Sequence, residues 1–339
     1  MDIRRILVTR LKYIGDVVLT TPILRSVRER YPDAFIAYLT DAKAAPLLER
    51  NPNLDEIIPY DFSRPSPLEQ LRIGLRLRQR RFDAVVDLYS NPRSALLTWA
   101  SGASIRIGRD VRGRGRVYTH RMGDFGSLTP AIEFHYQYFK PLSVDPRHWK
   151  TEIFLSDEER REARIYLELN GVDCSKPVVA VHPGATWPNK MWPKERFATL
   201  IDQLRAKSNV QVVVSPGPED KALVDFISNA SVAPSFVLPV LPLRQLAGIL
   251  SLCNVFVTND CGPMHIAVAV GCKTIGIFGP EPVNVWFPYA REDGHLPVYR
   301  DIECSPCRKT SCFRQGNDYL ECMTLISVDE IVGEVKKRL

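Results

Sequence analysis

A chain of 339 residues, 45% apolar and 25% charged, is long enough for two cored domains and too apolar for a disordered segment. Its 45 basic residues against 39 acidic give a net charge of +6, a mild bias that suits anionic ligands but is too small to argue for nucleic acid. No run reaches the roughly 18 uninterrupted apolar residues of a membrane span, and the basic N-terminus enters a short strand with no apolar leader. A cytoplasmic protein is expected, with any membrane contact made by loops or by a partly exposed amphipathic helix.

In chain order, Ile6-Leu7-Val8-Thr9 reads as a strand, residues 11–16 as a turn and 17–30 as a helix stopped by Pro32. Residues 35–39 form the next strand, Leu47 and Leu48 lie in a short helix, and Ile57-Ile58 make a brief strand. The stretch 68–80 predicts a helix with an Arg-rich solvated face, and 84–88 another strand. Residues 102–126 alternate glycines with Arg106, Arg109, Arg112, Arg114, Arg116 and Arg121, which predicts a basic loop, either solvated or binding an anionic acceptor. After a linker with helix 157–170 the pattern repeats: strand 178–181, helix 194–207, strand 210–214, helices 219–229 and 243–252, strand 255–258, a helix after Gly262, strand 274–278 and a last helix at about 328–338. Short strands alternating with helices in both halves predict two α/β, Rossmann-like domains with parallel sheets.

Neither half carries G-x-G-x-x-G or G-x-x-x-x-G-K-[ST] at its first strand–helix junction, which argues against a conventional dehydrogenase or a P-loop enzyme. The first junction carries Gly15 and Asp16 instead, where Asp16 is either a helix N-cap or a carboxylate able to take a proton from an attacking hydroxyl. After strand 178–181, Thr186 and Lys190 are suited to grip a diphosphate, with Trp187 and Trp192 closing the core beneath. Glu219 suits ribose hydroxyls or, equally, the first turn of a helix. The run 259–265 passes from strand through a polar turn to a helix, placing Asp260 and His265 at the carboxyl edge of a sheet beside helix N–H groups that favour a phosphorylated ligand. Cys304, Cys307, Cys312 and Cys322 are candidate ligands for structural zinc or an iron–sulfur cluster, with unliganded thiols or disulfides as the alternatives, the disulfides disfavoured by the expected cytosolic setting. Cys253 and Cys272 sit in apolar surroundings and read as buried small hydrophobes.

Residues 11–22, residues 182–186 with Lys190, Trp192 and Pro193, and residues 259–265 with Phe278, Gly279 and Pro280 are ordered along almost the whole chain. Together they resemble the ADP-heptose:lipopolysaccharide heptosyltransferases of glycosyltransferase family 9, most closely the heptosyltransferase II branch, and the cysteine tail looks like that of many members. The resemblance implies two Rossmann-like domains of the GT-B type facing each other across a cleft: an acceptor domain at 1–155, a linker region at 156–177, a donor domain at 178–325 and a C-terminal helix at 326–339. It implies an inverting transferase with Asp16 as general base. Thr186, Lys190, Gly262, Pro263, Met264 and His265 would hold the donor diphosphate, Glu219 the nucleoside and Asp260 the donor sugar. Lys12, Arg112, Arg114 and Arg116 are the acceptor-binding candidates. No cofactor is expected for transfer, since ADP-heptose is a substrate. The expected partners are that donor, a lipopolysaccharide core acceptor and the cytoplasmic face of the inner membrane, with no nucleic acid. Cys261 stands where many relatives carry Thr. The competing readings are a transferase for another nucleotide sugar, a nucleotide-sugar epimerase or phosphorylase, and a non-enzymatic anion-binding module using the arginines at 106–121.

Overall fold

The computed structural model describes residues 3–61, 66–126, 128–233 and 235–339, apart from the side chains at 207 and 208. It divides into two compact units, Met1–Phe154 and Leu155–Leu339.

The first unit runs β1 (Arg5–Arg10), α1 (Ile14–Leu19), α2 (Thr21–Arg30), β2 (Phe35–Asp41), β3 (Glu56–Tyr60), α3 (Pro67–Gln79), β4 (Ala84–Asp87), α4 (Pro92–Ala100), β5 (Ile105–Arg109), β6 (His120–Met122) and α5 (Ala131–Gln137). The second runs α6 (Asp157–Leu169), β7 (Val178–His182), α7 (Lys194–Ser208), β8 (Gln211–Val214), α8 (Lys221–Ala230), β9 (Phe236–Val237), α9 (Leu243–Leu250), β10 (Val255–Asn259), α10 (Gly262–Ala269), β11 (Lys273–Ile277), α11 (Val283–Trp286), β12 (Leu296–Val298), α12 (Glu321–Thr324) and α13 (Val328–Lys336).

Each unit holds one six-stranded sheet, in the orders β3-β2-β1-β4-β5-β6 and β12-β11-β10-β7-β8-β9. All the strand pairs are parallel. Numbered within its own unit, the second sheet repeats the first: both have the 3-2-1-4-5-6 order of a doubly wound α/β sheet. The α/β expectation from alternating elements is borne out. The central strands are continuous apolar runs because helices cover both faces. Leu7, Leu39, Ile58 and Val85 pack with Leu77 and Phe82 in the first unit, and Val181, Val212, Val257 and Ile275 with Phe197, Leu200 and Ile331 in the second. The region 156–177 carries α6, which is tied to α9 by the ion pair of Glu159 with Arg244. The last helix, α13, buries Ile331, Val332 and Val335 in the second core with residues of α7. As expected, Cys253 and Cys272 are buried.

Several local expectations need correction. The helix expected over 17–30 is two helices, α1 and α2, divided at Thr20, because Pro22 in the first turn of α2 has no N–H to continue the ladder. The segment 102–126 is not a plain loop. It contains β5 and β6, and Ile105 and Ile107 are buried, so two apolar residues on alternating positions suffice for a strand at this edge of the sheet. Gly115 lets the chain close on Asp110, whose carboxylate accepts the Gly115 N–H at 2.8 Å and would collide with any Cβ there. Helices α4 and α5 and the short strands β9 and β12 escape the periodicity reading.

Candidate active site

In a doubly wound sheet, ligands sit beyond the carboxyl ends of the two strands where the order reverses. In the second unit those strands are β7 and β10, which pair directly with His182 beside Thr258. The segments that leave them are 183–193 and 259–262. Asn259, fully buried, ties the two together: its Nδ2 donates to Pro183 O at 2.7 Å and its Oδ1 accepts the Trp192 N–H at 3.0 Å. Trp192 is core, as expected, with its ring against Phe197 and its Nε1 donating to Ile326 O at 3.1 Å. Trp187 does something else: its ring lies under the Lys190 ammonium, 4.6 Å from centroid to Nζ.

The junction converges on Lys190 and Asp260, whose Nζ and Oδ2 lie 2.7 Å apart with both side chains largely buried. Burial pushes the Asp260 carboxyl above its ordinary value, and the Lys190 charge and hydrogen bond oppose the shift. Glu281, in the turn after β11, feels both charges; burial raises it too, and it accepts the Trp286 Nε1–H at 2.9 Å. Sequence reading missed Glu281, for which the signal available was its place directly after Phe278-Gly279-Pro280.

Beneath this site lies a second missed residue, Asp220. Its carboxylate accepts the Gly217 N–H at 2.7 Å and stands 4.0 Å from His182 Nε2, while His182 Nδ1 donates to Ser215 O at 2.6 Å. A Cβ at Gly184 would collide with the Asp220 carboxylate, so glycine is required where the loop crosses it. Thr186 and Glu219 are exposed in their loops.

At the start of α10 the side chains divide. Gly262 and Pro263 are half-buried at the surface of the turn, whereas Met264 packs against Phe278 and Phe287 in the core. His265 Nδ1 meets the Tyr289 hydroxyl at 2.6 Å, and burial lowers this imidazole to about 3. Pro263 has no N–H and that of Met264 is bonded to Cys261 O at 3.2 Å, leaving Gly262 as the first-turn donor toward a ligand. Cys261 stands at the N-cap position with no side-chain cap bond; burial raises its thiol to about 12, and its Sγ lies 3.1 Å from Thr258 Oγ1.

In the first unit the corresponding strands are β1 and β4. Asp16 is in the first turn of α1, not before it: its Oδ2 accepts the Tyr13 N–H at 3.2 Å, and its Oδ1 is ion-paired with Arg10. The guanidinium of Arg10 also donates to Leu88 O at 2.7 Å, tying the β1 and β4 ends together. Asp87, fully buried, holds the β4 end by accepting from Thr9, from Tyr118 at 2.8 Å and from the Tyr89 and Ser90 N–H groups. Lys12 is half-buried and Tyr13 exposed at the same edge. Of the arginines, Arg106 is structural, bonded to Val117 O at 2.7 Å, and Arg109 pairs with Asp124. Arg114 donates to Ser90 O at 3.4 Å, and Arg112 and Arg116 are exposed, all following β5 at the edge that also carries Asp16.

The four cysteine side chains expected as a ligand set line one small cavity with Pro280, Asn189 and Leu320. Cys304 receives an Arg314 N–H at 3.7 Å, Cys312 the Leu320 N–H at 3.5 Å, and Cys322 is raised by burial to about 11. Cys304, Cys307 and Cys312 stand close enough to raise Cys322 further, but among the described residues no group of three or more His, Cys, Asp or Glu side chains is arranged to hold a metal ion. The strap that carries them instead braces the loops that follow β7 and β11: Ser305 Oγ donates to Gly279 O at 2.7 Å, the Arg308 N–H to Pro280 O at 2.8 Å, and Asn189 Nδ2 to Lys309 O.

The sequence model of glycosyltransferase family 9 (heptosyltransferase) matches residues 70–317, well over half of the chain. The chain belongs to that family. A family 9 relative, lipopolysaccharide heptosyltransferase 3 of Escherichia coli, is 26% identical over 297 residues, covering 83% of this chain and 85% of its own. The solved glycosyltransferase family 9 protein of Veillonella parvula superposes with a TM-score of 0.85 at 25% identity over 99% of this chain and 98% of that one. E. coli ADP-heptose heptosyltransferase II shares the fold, with a TM-score of 0.80 at 22% identity over 98% of both chains. As a family 9 member the protein is a glycosyltransferase enzyme, which removes the anion-binding module as an account of the whole chain.

Proposed function

We propose that the protein transfers heptose from ADP-heptose to the inner core of lipopolysaccharide with inversion at the anomeric carbon. The observation that carries the reading is the Lys190–Asp260 pair at the β7–β10 reversal of a family 9 chain. The relatives, a lipopolysaccharide heptosyltransferase and an ADP-heptose heptosyltransferase, supply the donor and acceptor class.

In this reading Lys190 meets the charge that develops on the departing diphosphate, aided by the Gly262 N–H. Trp187 and Asp260 hold Lys190 in place, and Asp260 and Glu281 offer acceptors to the hydroxyls of the donor sugar. Asp16 takes the proton of the acceptor hydroxyl as its oxygen bonds to the anomeric carbon and the bond from that carbon to the diphosphate oxygen breaks. The diphosphate leaves as ADP and needs no acid, being weakly basic. Arg112, Arg114 and Arg116 receive anionic groups of the acceptor. Thr186 and Glu219 are assigned to the diphosphate and the nucleoside. The test is incubation with ADP-heptose and a deacylated inner-core acceptor: one heptose added to the acceptor for each ADP released is the expected result, and altered free sugar without acceptor product would reject it.

A further inference from the structure

The outer face of α3 and α4 is not that of a solvated helix pair. Helix α3 buries Ile73, Gly74 and Leu77, yet Leu68, Leu71 and Leu75, at positions i, i+3 and i+7, share a second stripe that stays exposed, 59% for Leu71. Helix α4 buries Ala95 and Leu97 and leaves Leu96 and Trp99 outside, Trp99 at 61%. The two helices touch: a Cβ on Gly74 would come within 3.1 Å of the Ala100 Cβ, and Gln70 Nε2 donates to Arg93 O at 3.5 Å. Leu71 and Leu75 flank Gly74 on α3, and Leu96 is one turn before Ala100 on α4, so the two apolar stripes adjoin across the helix contact. Arg72 and Arg76 come next around α3, and Arg78 is exposed as well. The nearby Glu56 is engaged chiefly by Arg80, with Arg76, itself about half exposed, at 3.9 Å on its outer side.

We propose that this α3–α4 face docks the first unit onto an anionic phospholipid surface. A helix that lies in the plane of a membrane carries an apolar stripe bordered by arginine, with tryptophan at headgroup level. The arginine stems reach past the leucines so that their charged ends meet lipid phosphates. A second copy of this chain is the poorer occupant, because pairing through the same face brings two basic borders together, whereas an anionic bilayer supplies opposite charge throughout. The proposal rests in part on the lipid-bearing acceptor assigned above, but docking is read without turnover. No helix among the described residues is long and apolar enough to cross a membrane, so the contact is peripheral to the bilayer as far as these helices go.

The test is flotation of the purified full chain with vesicles of phosphatidylcholine alone or mixed with phosphatidylglycerol. The wild-type protein is expected to float with the anionic vesicles, to stay behind with neutral ones and to be released by about 0.5 M salt. The double variants Leu71→Gln/Leu75→Gln and Arg72→Gln/Arg76→Gln are each expected to lose at least about tenfold in partitioning. Their melting temperatures should stay close to wild type and their transfer onto a soluble, deacylated acceptor within about twofold of it, since surface substitutions away from a site seldom cost more. Failure of the wild-type chain to float, or equal flotation of the variants, would overturn the proposal. So would loss in the leucine variant of a dimer seen by sedimentation equilibrium, which would give this face to a second copy. Flotation without transfer to the soluble acceptor would reject the assigned reaction and leave docking standing.

Discussion

The Lys190 ammonium reaches the Asp260 carboxylate at 2.7 Å across 70 residues of sequence, joining the segments that leave β7 and β10. A cation already fixed at the mouth of a parallel sheet costs less to organise when a diphosphate arrives than a flexible one. Its partner is buried, which makes the pair visible to stability measurements as well as to kinetics.

Replacing Lys190 by Met leaves Asp260 buried without its counter-charge, which is expected to cost roughly 3 kcal/mol at neutral pH. The Asp260 carboxyl is already raised in the folded chain by burial. A raised acid holds its proton better folded than unfolded, so its contribution is complete below the ordinary carboxylate value and is lost as pH rises through the folded one. Without Lys190 that window extends upward. The Lys190→Met chain should therefore lose more Tm at pH 8 than at pH 5, and Asp260→Asn added to it should recover most of the loss. A loss independent of pH, unrelieved by the second change, would show that Asp260 is not the strained partner.

Gly184 crosses directly over Asp220. Adding a methyl group there overpacks a rigid loop, so Gly184→Ala is expected to cost about 1–3 kcal/mol and to weaken ADP binding by displacing the loop that leads to Lys190. Asp220→Ala in the same chain should return part of the affinity by opening space. Calorimetric titration with ADP checks both, and unchanged affinity in Gly184→Ala would mean that the loop has slack the geometry does not show.

Much of the β7–β10 edge was legible in the sequence because its signals are local. The apolar runs of β7 and β10, each followed by a glycine-containing turn, already marked residues 183–193 and 259–262 as edge loops, and Lys190 and Asp260 were named from them. What could not be read was the partner of each. Nothing in the spacing says that Asp220 lies under Gly184, that Tyr289 meets His265, or that residues 305–309 brace the loops after β7 and β11, because those contacts are made by the fold between distant segments. The 102–126 segment misled for a related reason. Strand β5 is held by pairing with β4 and by Thr119 and Val117 bonded to Arg106, and its own composition gives little sign of it. Met264 shows the same limit, since a motif residue in the chain is a core residue in space.

Acid should destabilise the chain through its buried imidazoles. Burial lowers His135, His182 and His265, the last to about 3. The unfolded chain takes up protons near pH 6.5 that the folded chain refuses, so this stabilisation is present above that pH and lost as pH falls below it, by up to about 1.4 kcal/mol per pH unit for each imidazole. Urea unfolding at pH 7.5 and 5.5 measures it. The fall should be smaller in His265→Gln than in wild type, and an equal fall in both would place the acid sensitivity elsewhere.

The reaction itself turns on Asp16. Asp16→Asn keeps a side-chain oxygen for the Tyr13 N–H but removes the base and the charge paired with Arg10. Single-turnover transfer from ADP-heptose to a soluble inner-core acceptor, measured beside calorimetric ADP affinity, separates the two roles of this residue. Turnover is expected to fall by about 10²–10⁴-fold with ADP affinity near wild type, while the melting temperature drops because Arg10 is left largely buried without its counter-charge. Near-wild-type turnover would make Asp16 a helix cap only and contradict the proposed chemistry.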